Sequence, residues 1–262
     1  MRYGVGFALK DAEKVALSKN AGFDFVECSF QSFVFEDRAV RDAYRKALEE
    51  NDILCETANC FLPGDLKIIG TDFARSEMRE YIETGMAHGK EMGLQIVVFG
   101  SSGARRLPED VPFPQGMQQI AAFLREVVSP IAAKYGMTVA IEPLRKEESN
   151  IIHTVETGVM LASLVDRENI SVLADNYHMV GSLETNEELR RMKGQIVHSH
   201  ISNPTPGIPN IRRTYPMEES EWDYKGFVDA LAAIGCQRCC IEAHSLDFAS
   251  EVEKSAALLK RL

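Results

Sequence analysis

Four short runs in the second half of the chain carry side chains able to hold a metal ion or move a proton. They are Ile141-Glu142-Pro143-Leu144, Asp175-Asn176-Tyr177-His178, His198-Ser199-His200 and Ile241-Glu242-Ala243-His244. Each closes a short apolar, β-rich segment, so each puts an acid or an imidazole at the end of a strand. Two Glu, one Asp and one His brought to one level would be costly to bury unless a positive charge balanced them. A divalent cation does so directly. A mostly oxygen site with one nitrogen suits Mn²⁺, Mg²⁺, Co²⁺ or Zn²⁺ and leaves positions open for substrate oxygens. The competing reading, in which each acid pairs with an arginine, accounts for any one strand but poorly for four in succession.

The elements that must position these groups follow from hydrophobic periodicity. Apolar β-rich runs lie at 3–8, 25–30, 53–59, 95–100, 138–144, 171–176, 196–202 and 238–243. Between them stand helical patterns at 11–21, 38–51, 74–93, 115–135, 155–166, 185–193, 223–234 and 247–261. In 74–93, Met78, Tyr81, Ile82, Gly85 and Met86 recur at steps of three and four while Glu77, Arg79, Glu80 and Glu83 fall between them. Gly22, Gly93, Gly136 and Gly235 stand where helices end before strands. Eight strand–helix repeats in 262 residues predict an α/β fold, one closed (β/α)8 barrel filling 1–262 as a single domain. An open doubly wound sheet would carry a glycine-rich phosphate turn after its first strand; here Phe7-Ala8-Leu9-Lys10-Asp11 follows.

Alternation along the strands sharpens the site. Ala140 and Glu142 share one face of the fifth strand, opposite Val139 and Ile141, and Cys240 and Glu242 share one face of the eighth. With the aliphatic residues turned to the helices, Glu142 and Glu242 point into the barrel. The same step puts His198 and His200 together on the inner face of the seventh strand. Two long irregular stretches, 61–73 and 203–222, follow C-terminal strand ends, where a barrel builds its active site. The second, with Pro204, Pro206, Pro209, Pro216, Arg212 and Arg213, reads as a substrate-covering loop, with disorder as the competing account.

Bulk properties narrow the function. A formal net charge of -10 disfavours a nucleic-acid binder, which needs a basic surface. The six cysteines lack metal-finger spacing, and the C-x-x-C pair Cys236/Cys239 leads into a strand rather than opening a helix, so plain thiols in a reducing cytosol are expected. Without a signal-peptide-like start or an 18-residue apolar run, the chain reads as a soluble cytoplasmic protein with no membrane segment.

With these residues in view, the sequence resembles the xylose-isomerase-like barrel superfamily, and within it the sugar isomerase/epimerase, D-tagatose 3-epimerase-like branch. The resemblance covers essentially the whole chain. Its most specific parts are Ile141-Glu142-Pro143-Leu144 with Glu148 and Asn150, then Asp175-x-x-His178, His198-Ser199-His200 and Ile241-Glu242. Phe25-Val26-Glu27 and Val98-Phe99-Gly100-Ser101 are similar but less diagnostic. The resemblance implies one divalent metal held by Glu142, Asp175, His200 and Glu242, with His198 a second-layer group. Glu142 and Glu242 would double as the acid/base pair. His178 and a loop arginine would hold substrate oxygens, and Glu148 would contact substrate or orient its neighbours. A carbohydrate substrate and a homo-oligomer, dimer or tetramer, are implied in the same way. Two departures stand out. Arg145-Lys146 replaces the usual Asn-Arg, and Pro206 stands where the loop arginine is expected, so Arg212 or Arg213 must serve, with Arg212 preferred.

The chemistry implied is proton transfer next to a ketose carbonyl through an enediolate, one glutamate removing the proton and the other returning one. A metal-dependent dehydratase or lyase acting on inositol- or keto-acid-like substrates shares the four ligands and is the main alternative. An endonuclease IV-like repair enzyme would need a multi-metal cluster, for which six histidines, with His88 helical and His153 in a loop, provide poorly. A non-catalytic barrel leaves the acid pair unexplained. Among lesser features, Arg105-Arg106 reads as a phosphate contact or a solvated loop pair, His244 as a substrate contact or helix cap, and Trp222 as a pocket wall or helix anchor. Phe7, Phe30 and Phe61 read as core packing or a sugar-facing wall.

Overall fold

The computed structural model describes residues 1–205, 207, 210, 212–218, 220 and 222–262. Eight parallel strands close into a barrel in chain order. They are β1 (Arg2–Gly6), β2 (Phe25–Ser29), β3 (Cys55–Asn59), β4 (Ile96–Phe99), β5 (Thr138–Ile141), β6 (Ile170–Asp175), β7 (Ile196–Ile201) and β8 (Arg238–Ile241), with β8 pairing back onto β1. The outer layer is built from α1 (Glu13–Ala21), α2 (Phe30–Phe35), α3 (Arg38–Glu50), α4 (Ser76–Glu91), α5 (Phe113–Phe123) and α6 (Ser129–Tyr135). It continues with α7 (Val155–Val165), α8 (Asn176–Gly181), α9 (Asn186–Arg190), α10 (Tyr224–Ile234) and α11 (Phe248–Leu259). The chain is therefore a single (β/α)8 barrel, as its repeats predict.

Two short helices depart from the sequence pattern. The segments α2 and α8 start on the residue that follows a strand's last one and are too short to show a helical period. The pattern at 115–135 is broken by a π turn at Leu124–Val128, which joins α5 to α6. Among the described residues, no helix is long and apolar enough to cross a membrane.

The barrel interior is stacked in layers, which decides where the chemistry sits. At its N-terminal end Glu56 of β3 is clamped by Arg2 of β1 (2.6 Å) and Arg238 of β8 (3.0 Å). Above this the Phe25 ring fills the space left by Gly4: a Cβ on Gly4 would lie 2.2 Å from that ring. Ile96, Val98, Ala140 and Leu173 pack beside it as an apolar core separate from the one between strands and helices. The next layer is polar, with Glu27, Thr57 and His198 fully buried. Polar side chains thus reach the C-terminal mouth above a fully buried base.

Candidate active site

His200 is the centre of the mouth. It is fully buried on β7, in register with Asp175 of β6 on one side and Cys240 of β8 on the other. Its Nδ1 lies 3.0 Å from Glu242 Oε2, 3.2 Å from Glu142 Oε1 and 3.9 Å from Asp175 Oδ2. The four residues offer ligand atoms within 4.8 Å of one another. Sequence reasoning grouped these four, and the fold brings them together.

Each side chain has a local reason for its place. Glu142 follows β5 directly, its N–H bonded to the Phe99 carbonyl, and its carboxylate lies over Gly100, where a Cβ would be 2.3 Å from Oε2. Asp175 ends β6 and caps α8: Oδ1 accepts from the Tyr177 N–H (2.8 Å), which frees Oδ2 to face the cluster. Glu242 follows β8, and Asn59 at the end of β3 donates to its Oε1 at 2.6 Å. Arg213 spans the two acids, reaching Asp175 Oδ2 and Glu242 Oε2 at 2.8 Å each.

The electrostatics divide the two glutamates. Burial pushes the Glu142 carboxyl up, and the hydrogen bond from His200 does not bring it back. Burial also raises Glu242, but Arg213 and then His200 outweigh it and hold that carboxyl well below its ordinary range. His200 loses from burial yet is pulled well above the usual imidazole value by Glu27 and Glu242. Three carboxylates around one imidazole nitrogen is also the donor set of a divalent-cation site. A single N–H on Nδ1 cannot point at Glu142 and Glu242 together, whereas a cation among them engages both and takes the nitrogen lone pair.

The remaining expected residues fall in two groups. His178 lies beside the cluster, its Nε2 3.7 Å from Asp175 Oδ2. Glu148 does not reach it; Glu148 Oε1 accepts from Arg145 (3.0 Å), Tyr177 (3.2 Å) and Arg212 (3.1 Å). Arg212, with its side chain 66% exposed, therefore tethers Glu148, and Arg213, at 22%, is the arginine turned into the mouth. Paired backbone bonds between Asn203 and Thr214 place Arg213 there. Pro206 and Pro209 of the expected covering loop lie outside the described residues.

Three residues gained roles that the sequence did not disclose. Glu27 sits beneath His200 with no exposed surface. Its Oε2 accepts from Thr57 (2.7 Å), His198 (3.2 Å) and His200 (3.2 Å). Burial would raise its pKa, but His200 and His198 bring it down to about 2. Asn59, whose amide serves Glu242, carries no distinguishing signal in the sequence, since a strand-end amide is common. Arg105 is neither a phosphate contact nor solvated: it is fully buried and donates to the carbonyls of Phe99 (3.0 Å) and Glu142 (2.8 Å). His244 is exposed and does not cap α11, which Asp247 does. Trp222 packs on Tyr224 and Phe227, anchoring α10. Phe30 and Phe61 stack edge to face in the core at 4.9 Å. Phe7 instead lines, with Ala8, Ser29, Asn59 and Glu242, a cavity of about 270 Å³ that opens from the cluster.

A barrel of this topology with an acid-and-histidine mouth defines a class, and comparison supplies the family. Residues 15–262 match the family described as xylose isomerase-like TIM barrel, and the chain belongs to it. The L-ribulose 3-epimerase of Mesorhizobium japonicum is 24% identical over 253 residues, 95% of this chain and 80% of that protein. The solved D-allulose 3-epimerase from Methylomonas sp. superposes with a TM-score of 0.82 at 17% identity, covering 100% of this chain and 96% of the other. The 3-keto-D-glucoside 4-epimerase from E. coli gives 0.80 at 21% identity, with both chains covered fully. At these identities the structural likeness establishes the shared fold.

Proposed function

We propose that this chain is a sugar isomerase or epimerase that moves a proton on the carbon beside a ketose carbonyl. In this reading Glu142, Asp175, His200 and Glu242 hold one divalent cation, Mn²⁺, Mg²⁺, Co²⁺ or Zn²⁺. The observation that carries it is the convergence of three carboxylates and one imidazole from four successive strand ends, with ligand atoms within 4.8 Å. The 3-epimerase and 4-epimerase relatives support the substrate class. When bound, the cation supplies Lewis-acid stabilisation of the charge that builds on the carbonyl oxygen.

The chain's own residues do the rest. Glu142, just after β5, and Glu242, just after β8, come from strands well apart around the barrel and lie 3.2 and 3.0 Å from His200 Nδ1, so in this reading a sugar seated over them has a carboxylate near each face. One takes the proton and the other returns one, which inverts the carbon if the return is to the opposite face. Arg213 and His178 hold substrate oxygens at the rim, and the buried layer beneath keeps water out. The cavity beside Glu242, about 270 Å³, is of a size for a small, polar ligand rather than a polymer.

The test is a panel of free and phosphorylated ketoses in D₂O with metal-stripped protein, with and without Mn²⁺ or Co²⁺. Metal-dependent deuterium incorporation next to the carbonyl, cut by about 10²–10⁴ in Glu142→Gln or Glu242→Gln, supports the proposal. A product lighter by one water would favour the dehydratase reading. Exchange that ignores both metal and glutamates would overturn the mechanism.

A further inference from the structure

We infer that Glu27 is a positioning residue that fixes the tautomer of His200 and so decides which nitrogen faces the cluster. The inference rests on His200 being a metal ligand, as proposed above. His200 has two ring nitrogens with opposite neighbours. Nδ1 faces Glu242, Glu142 and Asp175 at 3.0, 3.2 and 3.9 Å. Nε2 faces Glu27, 3.1 Å from Oε1 and 3.2 Å from Oε2. With a cation among the three carboxylates, Nδ1 gives its lone pair to the ion, and the one proton left on the ring belongs on Nε2, where the Glu27 carboxylate accepts it. The opposite tautomer would set an imidazole lone pair against the carboxylate in a fully buried space, leaving both unsatisfied.

Glu27 is itself held in place. Thr57 donates to it across the β2–β3 pair, and His198 donates from the residue two before His200 on the same face. The Phe25 ring closes the space below, 6.1 Å from the His198 ring. The H-x-H pair of β7 therefore has one use for each member: His200 presents Nδ1 upward, and His198 steadies the carboxylate that aims it. Carboxylate–histidine–metal arrangements of this kind typically contribute about 10–100-fold in metal affinity.

The experiment uses the full-length, metal-stripped protein titrated with Co²⁺, following heat and the visible absorption of the bound ion. Wild type is expected to bind one equivalent. Glu27→Gln, which keeps the shape but removes the negative charge and puts an NH₂ donor where a carboxylate oxygen stood, is expected to bind about 10–100-fold more weakly with an altered Co²⁺ band. Nitrogen-15 spectra of histidine-labelled wild type with Zn²⁺ bound give a second readout that needs no variant to fold: His200 should carry its one proton on Nε2 and bind the ion through Nδ1. A proton on Nδ1 with Zn²⁺ bound, an affinity within about twofold of wild type in Glu27→Gln, or two equivalents bound with Nε2 deprotonated would each overturn the inference. The two readings fail separately. If wild type binds Co²⁺ and His200→Ala abolishes binding while Glu27→Gln does not weaken it, only the role of Glu27 falls. If wild type binds nothing, the metal site and this inference fall together.

Discussion

The carboxylate of Glu142 rests over the bare α-carbon of Gly100, so close that a Cβ there would lie 2.3 Å from Oε2. The clash would be with the tip of a side chain, not with backbone, so a methyl group should move the carboxylate rather than unfold the barrel. Gly100→Ala is expected to shift stability by less than about 1 kcal/mol. The same change should weaken metal binding and cut turnover by about tenfold or more, because the displaced carboxylate leaves the reach of His200 Nδ1. Denaturant titration read beside metal titration separates the two effects; equal losses in both would refute this account.

Neighbouring arginines give a contrast. Arg213 bridges Asp175 and Glu242, whereas the largely exposed Arg212 pairs with Glu148. Arg213→Ala should lower kcat/KM by about 100-fold, corresponding to ~2.7 kcal/mol of lost transition-state contact. Arg212→Ala should cost less than about fivefold, since an exposed ion pair contributes ~0–1 kcal/mol. Steady-state kinetics on whichever ketose proves active decides it, and a larger loss at Arg212 would reverse the assignment.

The sequence disclosed what repeats and lost what does not. Eight apolar runs each needed a helix to cover them, so the barrel was legible from period alone, and Gly22 and Gly235 mark helix ends with positive φ as expected. Glu142, Asp175, His200 and Glu242 were legible because each stands at a strand end in an otherwise apolar run. Glu27 was not recognised, although it too sits in a β-rich run. Its meaning depends on β7 lying across the barrel, a contact 171 residues away in sequence from His198. Arg105 escaped for a related reason: an arginine in a turn looks solvated until the carbonyls it serves, on β4 and after β5, are known to converge. The choice between Arg212 and Arg213 turns on the Asn203–Thr214 pairing, which no local pattern announces.

Arg105 stitches the end of β4 to the residue after β5, with its guanidinium fully buried and burial lowering its pKa to about 10. Arg105→Met retains the aliphatic bulk and removes both donors, leaving the Phe99 and Glu142 carbonyls unserved. A loss of about 2–3 kcal/mol in unfolding free energy is expected. Because the Glu142 backbone is one of the two points released, activity should fall further than stability alone explains. Urea titration, with turnover measured well below the unfolding midpoint, tests both parts. A variant as stable as wild type would show that water or a rearranged turn replaces the arginine.

Glu184 supplies a pH dependence away from the acid-and-histidine cluster. It accepts from the Val155 N–H at 2.8 Å, capping α7 from a distance, yet burial and then the nearby acids Glu188 and Glu156 raise its pKa to about 7. In the unfolded chain the same group titrates near about 4.3. Between about pH 4.5 and about pH 7 the unfolded state therefore binds fewer protons than the folded one, and stability must fall as pH rises through that window. The group is partly exposed, so solvent screening limits the effect to roughly 1 kcal/mol. Glu184→Gln can still accept from Val155 but cannot ionise. The difference in unfolding free energy between wild type and Glu184→Gln, followed from about pH 5 to about pH 8, should shift in favour of the variant as pH rises and then level off. A difference that stays flat across the window would mean that Glu184 titrates as an ordinary surface acid.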